Sequence, residues 1–139
     1  MLFPKKVKFR KWHTGRKNSN KKSIATRGTN LSFGSFGLKA ETEGRVKSNQ
    51  IESARKAMSK KLSKIGRIWI RVFPDRPYTS KAAEMGMGKG KGDPRGYCVE
   101  VHPGRVIFEV DGVASDIAQE ALRKAGTKLP IKTRIISRE

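Results

Sequence analysis

The sequence predicts an α+β single domain with a mixed or antiparallel sheet and two helices. Two stretches carry apolar residues at helical spacing, and several short runs are rich in β-branched and aromatic residues. The predicted order is β–α–β–loop–β–β–α–β, which is typical of α+β domains. A chain of 139 residues accommodates one domain with one modest core.

Positive charge is abundant and unevenly distributed along the chain. The formal net charge is +20 and the pI about 10.7, and a pI above about 9 is the electrostatic signature of nucleic-acid binding. Residues 1–96 contain 25 Lys and Arg against 6 Asp and Glu, whereas residues 97–139 contain 7 against 6. We therefore expect the first two-thirds of the chain to face a polyanion.

Residues 1–30 are predicted to form a basic N-terminal extension, followed by an RNA-binding domain over residues 31–139. The extension contains ten Lys and Arg, no acidic residue and three aromatic residues. A disordered tail is one interpretation. We prefer a segment that becomes ordered on RNA, where rings stack on exposed bases. Its candidate RNA contacts are Lys5, Lys6, Lys8, Arg10, Lys11, Trp12, His13 and Arg16.

The first half of the domain is predicted to contain a bent strand, a short extended piece and a helix. The strand covers residues 31–38 and changes face near Gly34, and the extended piece covers residues 44–47 with Arg45 as a candidate RNA contact. The helix runs from Asn49 to Ile65, with Asn49 and Glu52 as a capping pair. Its apolar stripe comprises Ile51, Ala54, Met58, Leu62 and Ile65. The opposite face carries Lys56, Lys60 and Lys64, which we interpret as facing phosphate rather than only solvent.

The second half is predicted to contain four elements and a long loop. A strand over residues 68–73, with Arg71 as a candidate RNA contact, ends at Pro74 and Pro77. Residues 74–96 form the loop. Strands over residues 96–101 and 105–110 form a hairpin through a Pro-Gly turn. A helix from Ser115 to Ala125, capped by Gly126, precedes a last strand over residues 131–136. The apolar face of this helix comprises Ile117, Ala118, Ala121, Leu122 and Ala125.

The loop contains a run in which glycine occupies every second position. The run comprises Gly86, Met87, Gly88, Lys89, Gly90, Lys91 and Gly92. A flexible hairpin tip and a backbone that approaches phosphate closely are both open interpretations. The run is not a P-loop, because glycine follows each lysine where Ser or Thr is needed. It is not a dinucleotide fingerprint either, because no helix pattern follows it.

Other chemistry is not indicated by the sequence. One cysteine, Cys98, excludes an intrachain disulfide and lies in an apolar run, so we expect a buried structural thiol. His13, His102 and Cys98 are too far apart in sequence to indicate a metal site, and no cofactor is expected. No nucleophile–base pair is apparent, so an enzyme is not expected. Lacking a signal peptide or an apolar stretch of about 18 residues, the protein is expected to be intracellular and soluble.

Several motifs resemble those of one family. They include Ser32-Phe33-Gly34-Ser35-Phe36-Gly37-Leu38-Lys39-Ala40, Ile68-Trp69-Ile70-Arg71-Val72-Phe73-Pro74-Asp75, Met87-Gly88-Lys89-Gly90-Lys91-Gly92 and Lys128-Leu129-Pro130-Ile131-Lys132-Thr133. In this order along the chain, they resemble bacterial large-subunit ribosomal protein sixteen, which corresponds to large-subunit protein ten of archaea and eukaryotes.

The resemblance implies a hammerhead-type α+β fold and a structural role in the bacterial large ribosomal subunit, in the cytoplasm rather than in an organelle. The extension and the first helix would lie on 23S ribosomal RNA, beside neighbouring ribosomal proteins. The glycine run would reach A-site tRNA near the peptidyl-transferase centre, with P-site tRNA as a second candidate. The protein would join late in subunit assembly and help to position tRNA, without membrane contact.

Two departures from the family pattern stand out. Gly86 occupies a position where many bacterial members carry Arg, so one contact at the loop tip is in question. The chain between Arg16 and Asn30 is longer than usual, and we expect it to contact nearby RNA or a neighbouring protein. An RNA-acting enzyme is the alternative from another class, and a membrane-surface binder that uses the basic helix is the third.

Overall fold

A computed structural model describes residues 1–15, 20–21 and 23–138. Within these ranges the chain forms two helices and seven strands, which confirms the predicted α+β class. In chain order they are β1 Phe36–Ala40, β2 Gly44–Lys47, α1 Ser48–Leu62, β3 Arg67–Ile70, β4 Arg76–Ser80, β5 Asp93–Val101, β6 Val106–Asp111, α2 Ser115–Thr127 and β7 Thr133–Ser137.

The strands form two antiparallel sheets rather than one. The four-stranded sheet has the order β3-β6-β1-β7, and the three-stranded sheet has the order β2-β5-β4. The predicted hairpin between residues 96–101 and 105–110 is therefore wrong. The chain does turn at Gly104, which has a φ of +99°, but β5 and β6 then enter different sheets.

The two helices pack on each other and on the sheets to form the core. The buried stripe of α1 consists of Ile51, Ala54, Met58 and Leu62, and that of α2 consists of Ala118, Ala121, Leu122 and Ala125. These positions match the predicted apolar faces except at two places. Ile65 lies beyond the end of α1 and is 78% exposed, and Ile117 lies on the exposed side of α2.

The helix ends also differ from the predicted ends. α1 begins at Ser48, and the N–H of Lys47 donates to Oε1 of Gln50 over 2.8 Å. The predicted capping pair is wrong, since Glu52 instead accepts from Arg55. In α2, Gly126 lies inside the helix, and the chain leaves it at Lys128.

β4 lies inside the stretch that the sequence predicted as a loop. Pro77 occupies this strand opposite Tyr97 of β5. It is tolerated there because β4 is an edge strand, where one side of the backbone needs no ladder hydrogen bond. The loop with the glycine run therefore covers residues 81–92 only, between β4 and β5.

Residues 25–35 run over the domain before β1 begins. The N–H of Ala25 donates to the carbonyl of Pro103, and the N–H of Val106 donates to the carbonyl of Gly28. The predicted strand over residues 31–38 is replaced by an irregular segment followed by β1 from Phe36. The division of the chain into an extension over residues 1–30 and a domain over 31–139 stays a prediction. Among the helices described, none has the length and apolar composition needed to cross a membrane.

Candidate nucleic-acid interface

The beginning of the N-terminal extension is anchored at the start of α1. Ser48 Oγ donates to the carbonyl of Leu2 over 2.5 Å, and the N-terminal amine lies 3.9 Å from Glu52 Oε2. From there the extension carries a row of exposed cations that form no ion pair within the described ranges: Lys5, Lys6, Lys8 and Arg10. Lys8 Nζ lies 5.4 Å from the ring centre of Phe9, which is itself exposed.

Residues 11–13 of the extension lie beside the glycine-rich loop. Lys11 Nζ donates to the carbonyl of Lys91 over 3.2 Å, and Lys91 Nζ donates to the carbonyl of Trp12. Arg76, at the start of β4, places its guanidinium 5.3 Å from the ring centre of Trp12 and donates to the carbonyl of His13 over 3.2 Å. The structure thus brings together two predicted RNA-contacting segments that are about 80 residues apart in the sequence.

Arg76 is a residue that the sequence analysis missed. It is 9% exposed and also donates to Glu100 Oε1, so it joins the extension to β5. Arg76 begins an edge strand within the predicted loop, and the sequence of that strand lacks the apolar alternation by which a strand is recognised. The predicted contact Arg16 lies outside the described residues.

The loop over residues 81–92 leaves the three-stranded sheet with its tip exposed. Gly88, Lys89 and Gly90 have φ values of +101°, +58° and +90°, so three successive residues adopt the left-handed region. Lys81 Nζ donates back to the carbonyl of Gly88 and closes the loop on itself. Met87 is fully exposed. The loop therefore presents a narrow backbone with cations, which suits close approach to a phosphate chain.

Gly86 differs from the glycines that follow it. A Cβ built on Gly86 meets no atom within 4 Å, and its φ lies outside the left-handed region. Gly88 and Gly90 also face open space, but their φ values disfavour any side chain. An arginine at position 86 is thus compatible with this backbone.

The lysines predicted on the first helix fall into two groups. Lys56 and Lys60 lie on the exposed face of α1, whereas Lys64 follows the helix end and is exposed on the connection to β3. Lys61, between them, pairs with Glu120 of α2 over 2.9 Å and is not part of the outward row. Arg45 on β2 is 43% exposed and lies 3.5 Å from Glu100 Oε1.

Arg71 is held inside the molecule by a carboxylate that the sequence analysis missed. Its Nη1 donates to Glu109 Oε2 over 2.6 Å, and only 17% of its side chain is exposed. Glu109 Oε1 accepts the N–H groups of Ser32, Phe33 and Gly34 at 2.8, 3.0 and 3.2 Å. A structural role for Arg71 is thus visible, and its RNA contact stays a prediction.

Glu109 is fully buried on β6, so its ionisation is decided by its partners. Burial by itself would raise the pKa of its carboxyl group. The hydrogen bond from Arg71 and those from the backbone of residues 32–34 together outweigh burial and lower the pKa below its ordinary value. The signal for this residue was present in the sequence, as a single carboxylate within the apolar run Val106-Ile107-Phe108-Glu109-Val110.

The geometry supports electrostatic binding of a polyanion. Cys98 is 1% exposed, which confirms the predicted buried thiol, and burial raises the pKa of that thiol away from the reactive range. Across residues 1–15, 20–21 and 23–138, no group of three His, Cys, Asp or Glu side chains is arranged to hold a metal ion. The exposed cations extend from the N-terminal extension to α1 and to the tip of the loop.

Comparison with known proteins identifies the family. The model of the family described as ribosomal protein L16p/L10e matches residues 4–136. Two relatives, from Afipia carboxidovorans and Rhodopseudomonas palustris, are both named large ribosomal subunit protein uL16. Each is 52% identical over 138 residues, covering 99% of this chain and 98% of the relative. These matches confirm the resemblance found in the sequence, and the chain belongs to the L16p/L10e family of ribosomal proteins.

Proposed function

We propose that this chain is a structural constituent of the large ribosomal subunit in the bacterial cytoplasm. The supporting observation is its match to the family and to relatives named as large-subunit proteins over almost its whole length. The chain binds 23S ribosomal RNA and contacts neighbouring ribosomal proteins. It positions RNA rather than catalysing a reaction, and it joins the subunit late in assembly.

The ribosomal RNA contact of the proposal rests on the distribution of cations. Lys5, Lys6, Lys8 and Arg10 of the N-terminal extension and Lys56 and Lys60 of α1 are exposed and form no ion pair within the described residues. Each phosphate that such a cation neutralises releases a counterion, so binding weakens as salt rises, by about 0.7–0.9 in log K per log unit of salt. The residues assigned to this surface are Lys5, Lys6, Lys8, Arg10, Lys11, Trp12, His13, Arg16, Arg45, Lys56, Lys60, Lys64 and Arg71.

The tRNA contact of the proposal rests on the loop over residues 81–92. Its tip is exposed, narrow and cationic, and its base is held by the extension through Lys11, Trp12 and Lys91. An extension fixed on ribosomal RNA would hold the loop base and leave the tip to reach A-site tRNA, with P-site tRNA as a second contact. The loop residues assigned to this proposed contact are Gly86, Met87, Gly88, Lys89, Gly90, Lys91 and Gly92.

Sedimentation tests the ribosomal assignment. The protein is expected to migrate with large subunits in stoichiometric amount at moderate salt, and to leave them only at high salt. An RNA-acting enzyme would be recovered mainly as free protein, and a membrane-surface binder would be recovered with vesicles. Recovery mainly in either of those fractions would contradict the proposal.

Substitutions of the two lysines in the glycine run test the tRNA contact separately from the contact that supports the loop. Lys89 lies at the tip, whereas Lys91 also contacts Trp12, so Lys89→Ala removes charge alone and Lys91→Ala also weakens the join to the extension. We expect Lys89→Ala to weaken A-site tRNA binding several-fold with normal subunit yield, measured by filter binding to purified ribosomes. The double variant should be weaker still. Unchanged tRNA binding in the double variant would remove the proposed role of the loop.

A further inference from the structure

We propose that the ring of Phe33 is a stacking platform for one unpaired nucleobase of ribosomal RNA. This inference rests on the RNA-binding function proposed above. Phe33 is 56% exposed, whereas the adjacent Gly34 is buried. A single exposed aromatic ring is ordinary on a protein surface. What distinguishes Phe33 is the way its backbone is held and what lies beside its ring.

The backbone around Phe33 is fixed to the interior of the domain. The N–H groups of Ser32, Phe33 and Gly34 all donate to one oxygen of Glu109, a carboxylate with no exposed surface. A Cβ on Gly34 would lie 2.6 Å from the carbonyl oxygen of Val110, so the chain runs against β6 more closely than a side chain allows. The fold therefore uses a buried charge and a glycine to fix the residue that bears the ring.

The residues on either side of this segment are also tied down. Ser35 Oγ donates to Asp111 Oδ1 over 3.0 Å, and the N–H of Arg138 donates to the carbonyl of Ser35 over 2.8 Å. On the other side, Arg71 donates to the carbonyl of Asn30 and Arg138 donates to the carbonyl of Leu31, each over 3.3 Å. The segment thus keeps its shape although it contains no regular secondary structure.

The ring itself has two neighbours that orient it, and Phe33 remains an exposed residue. Its centre lies 6.0 Å from that of Trp69, with the ring planes 16° apart, and the guanidinium of Arg71 lies 5.3 Å from it. A ring that is already ordered loses little conformational freedom when a ligand stacks on it. Nucleobases are flat and stack on aromatic rings with little regard to sequence.

Charge favours RNA over a protein surface as the occupant. Arg138 lies beside the segment, and the protein carries a net charge of +20, whereas the charge of Arg71 is already paired with Glu109. The carboxylates that contact the segment are engaged in holding it: Glu109 is buried, and Asp111 accepts from Ser35 and from the N–H of Gly112. A base presented on a phosphate backbone fits this combination of a ring and cations.

Binding of variants to large-subunit particles stripped of this protein tests the inference. Base stacking predicts that Phe33→Leu, which keeps an apolar side chain but loses the ring, binds about 5- to 150-fold more weakly. Phe33→Tyr keeps the ring and should bind within about twofold of the parent protein. Because no phosphate contact is lost, the slope of log K against log salt should be unchanged in Phe33→Leu. The control Lys5→Ala with Lys6→Ala should make that slope shallower.

Ultraviolet crosslinking of the unsubstituted protein in reassembled particles gives a second readout that needs no variant. We expect the peptide that contains Phe33 to be joined to one ribosomal RNA nucleotide. Equal binding of the parent and Phe33→Leu, equally weak binding of Phe33→Tyr, or a crosslink from Phe33 to a protein would each overturn the inference. Failure of the parent protein to bind the particles would instead overturn the proposed function.

Discussion

Glu109→Gln should destabilise the domain by about 2–3 kcal/mol. Gln keeps one oxygen that can accept the three N–H groups of residues 32–34, but its amide nitrogen then faces Arg71 Nη1, which is also a donor. Removing one partner of a buried ion pair costs about 3–5 kcal/mol. We expect a smaller cost, about 2–3 kcal/mol, because Arg71 is 17% exposed and keeps its hydrogen bond to the carbonyl of Asn30.

The matched control is Glu120→Gln. Glu120 pairs with Lys61 over 2.9 Å but is 42% exposed, and exposed pairs contribute about 0–1 kcal/mol. Urea titration at moderate salt measures both free energies of unfolding, with the combined fluorescence of Trp12 and Trp69 as the signal. If the two variants differ from each other by less than about 0.5 kcal/mol, the argument that the buried carboxylate organises this segment is refuted.

The stability lost in Glu109→Gln should depend on pH. The pKa of Glu109 in the folded protein lies below its ordinary value of 4.5, so its contribution to stability is fully present above that value. The contribution is lost as the pH falls through the folded-state pKa. The stability difference between parent and Glu109→Gln should therefore be constant from about pH 6 to 8 and shrink below about pH 4.5. A difference that persists unchanged into strong acid would contradict the pairing.

Two further predictions concern the loop and its support. Gly86→Arg should leave the free energy of unfolding within about 0.5 kcal/mol of the parent, because its Cβ meets no atom and its φ is not left-handed. If the new cation reaches a phosphate, the salt slope for particle binding steepens by about 0.7–0.9, and an unchanged slope would show that it does not. Trp12→Ala removes the ring beside Arg76, an interaction of about 0.5–1 kcal/mol, and should speed amide hydrogen exchange in residues 81–92 about two- to fivefold. Phe9→Ala, which removes an exposed ring that contacts Lys8, is the control, and equal exchange in both variants would contradict the role of Trp12.

The helices were predictable because their signal is local. Residues three and four apart share one face, so Ile51, Ala54, Met58 and Leu62 can be recognised without knowing what they pack against. The end of α1 was not predictable in the same way. The chain leaves the helix at Ser63, where φ is +57°. In the sequence, however, Ile65 continues the apolar helical spacing, and Gly66 is a typical residue at a helix end.

Strand pairing could not be predicted because it depends on contacts far apart in sequence. A Pro-Gly turn between two apolar runs is typical of a hairpin, yet β5 pairs with β2 and β4, while β6 pairs with β1 and β3. The local turn fixes only the change of direction, and burial of both sheets against the helices decides the partners. The same holds for Glu109, whose three N–H donors are about 75 residues earlier in the chain.

The carboxylates of this protein divide its cations into two groups. Glu109 engages Arg71, and Glu100 engages Arg76 and Arg45, so the least exposed of these arginines serve to hold the N-terminal segments on the sheets. The lysines of the N-terminal extension and of the outer face of α1 have no carboxylate partner within the described ranges, so their charges face solvent unpaired. Fewer cations are therefore available to RNA than the 32 Lys and Arg of the sequence imply. Arg71 was predicted as an RNA contact, yet it pairs with Glu109 and donates to the carbonyl of Asn30. Such an arginine affects the shape of the RNA-binding surface as well as its electrostatic potential.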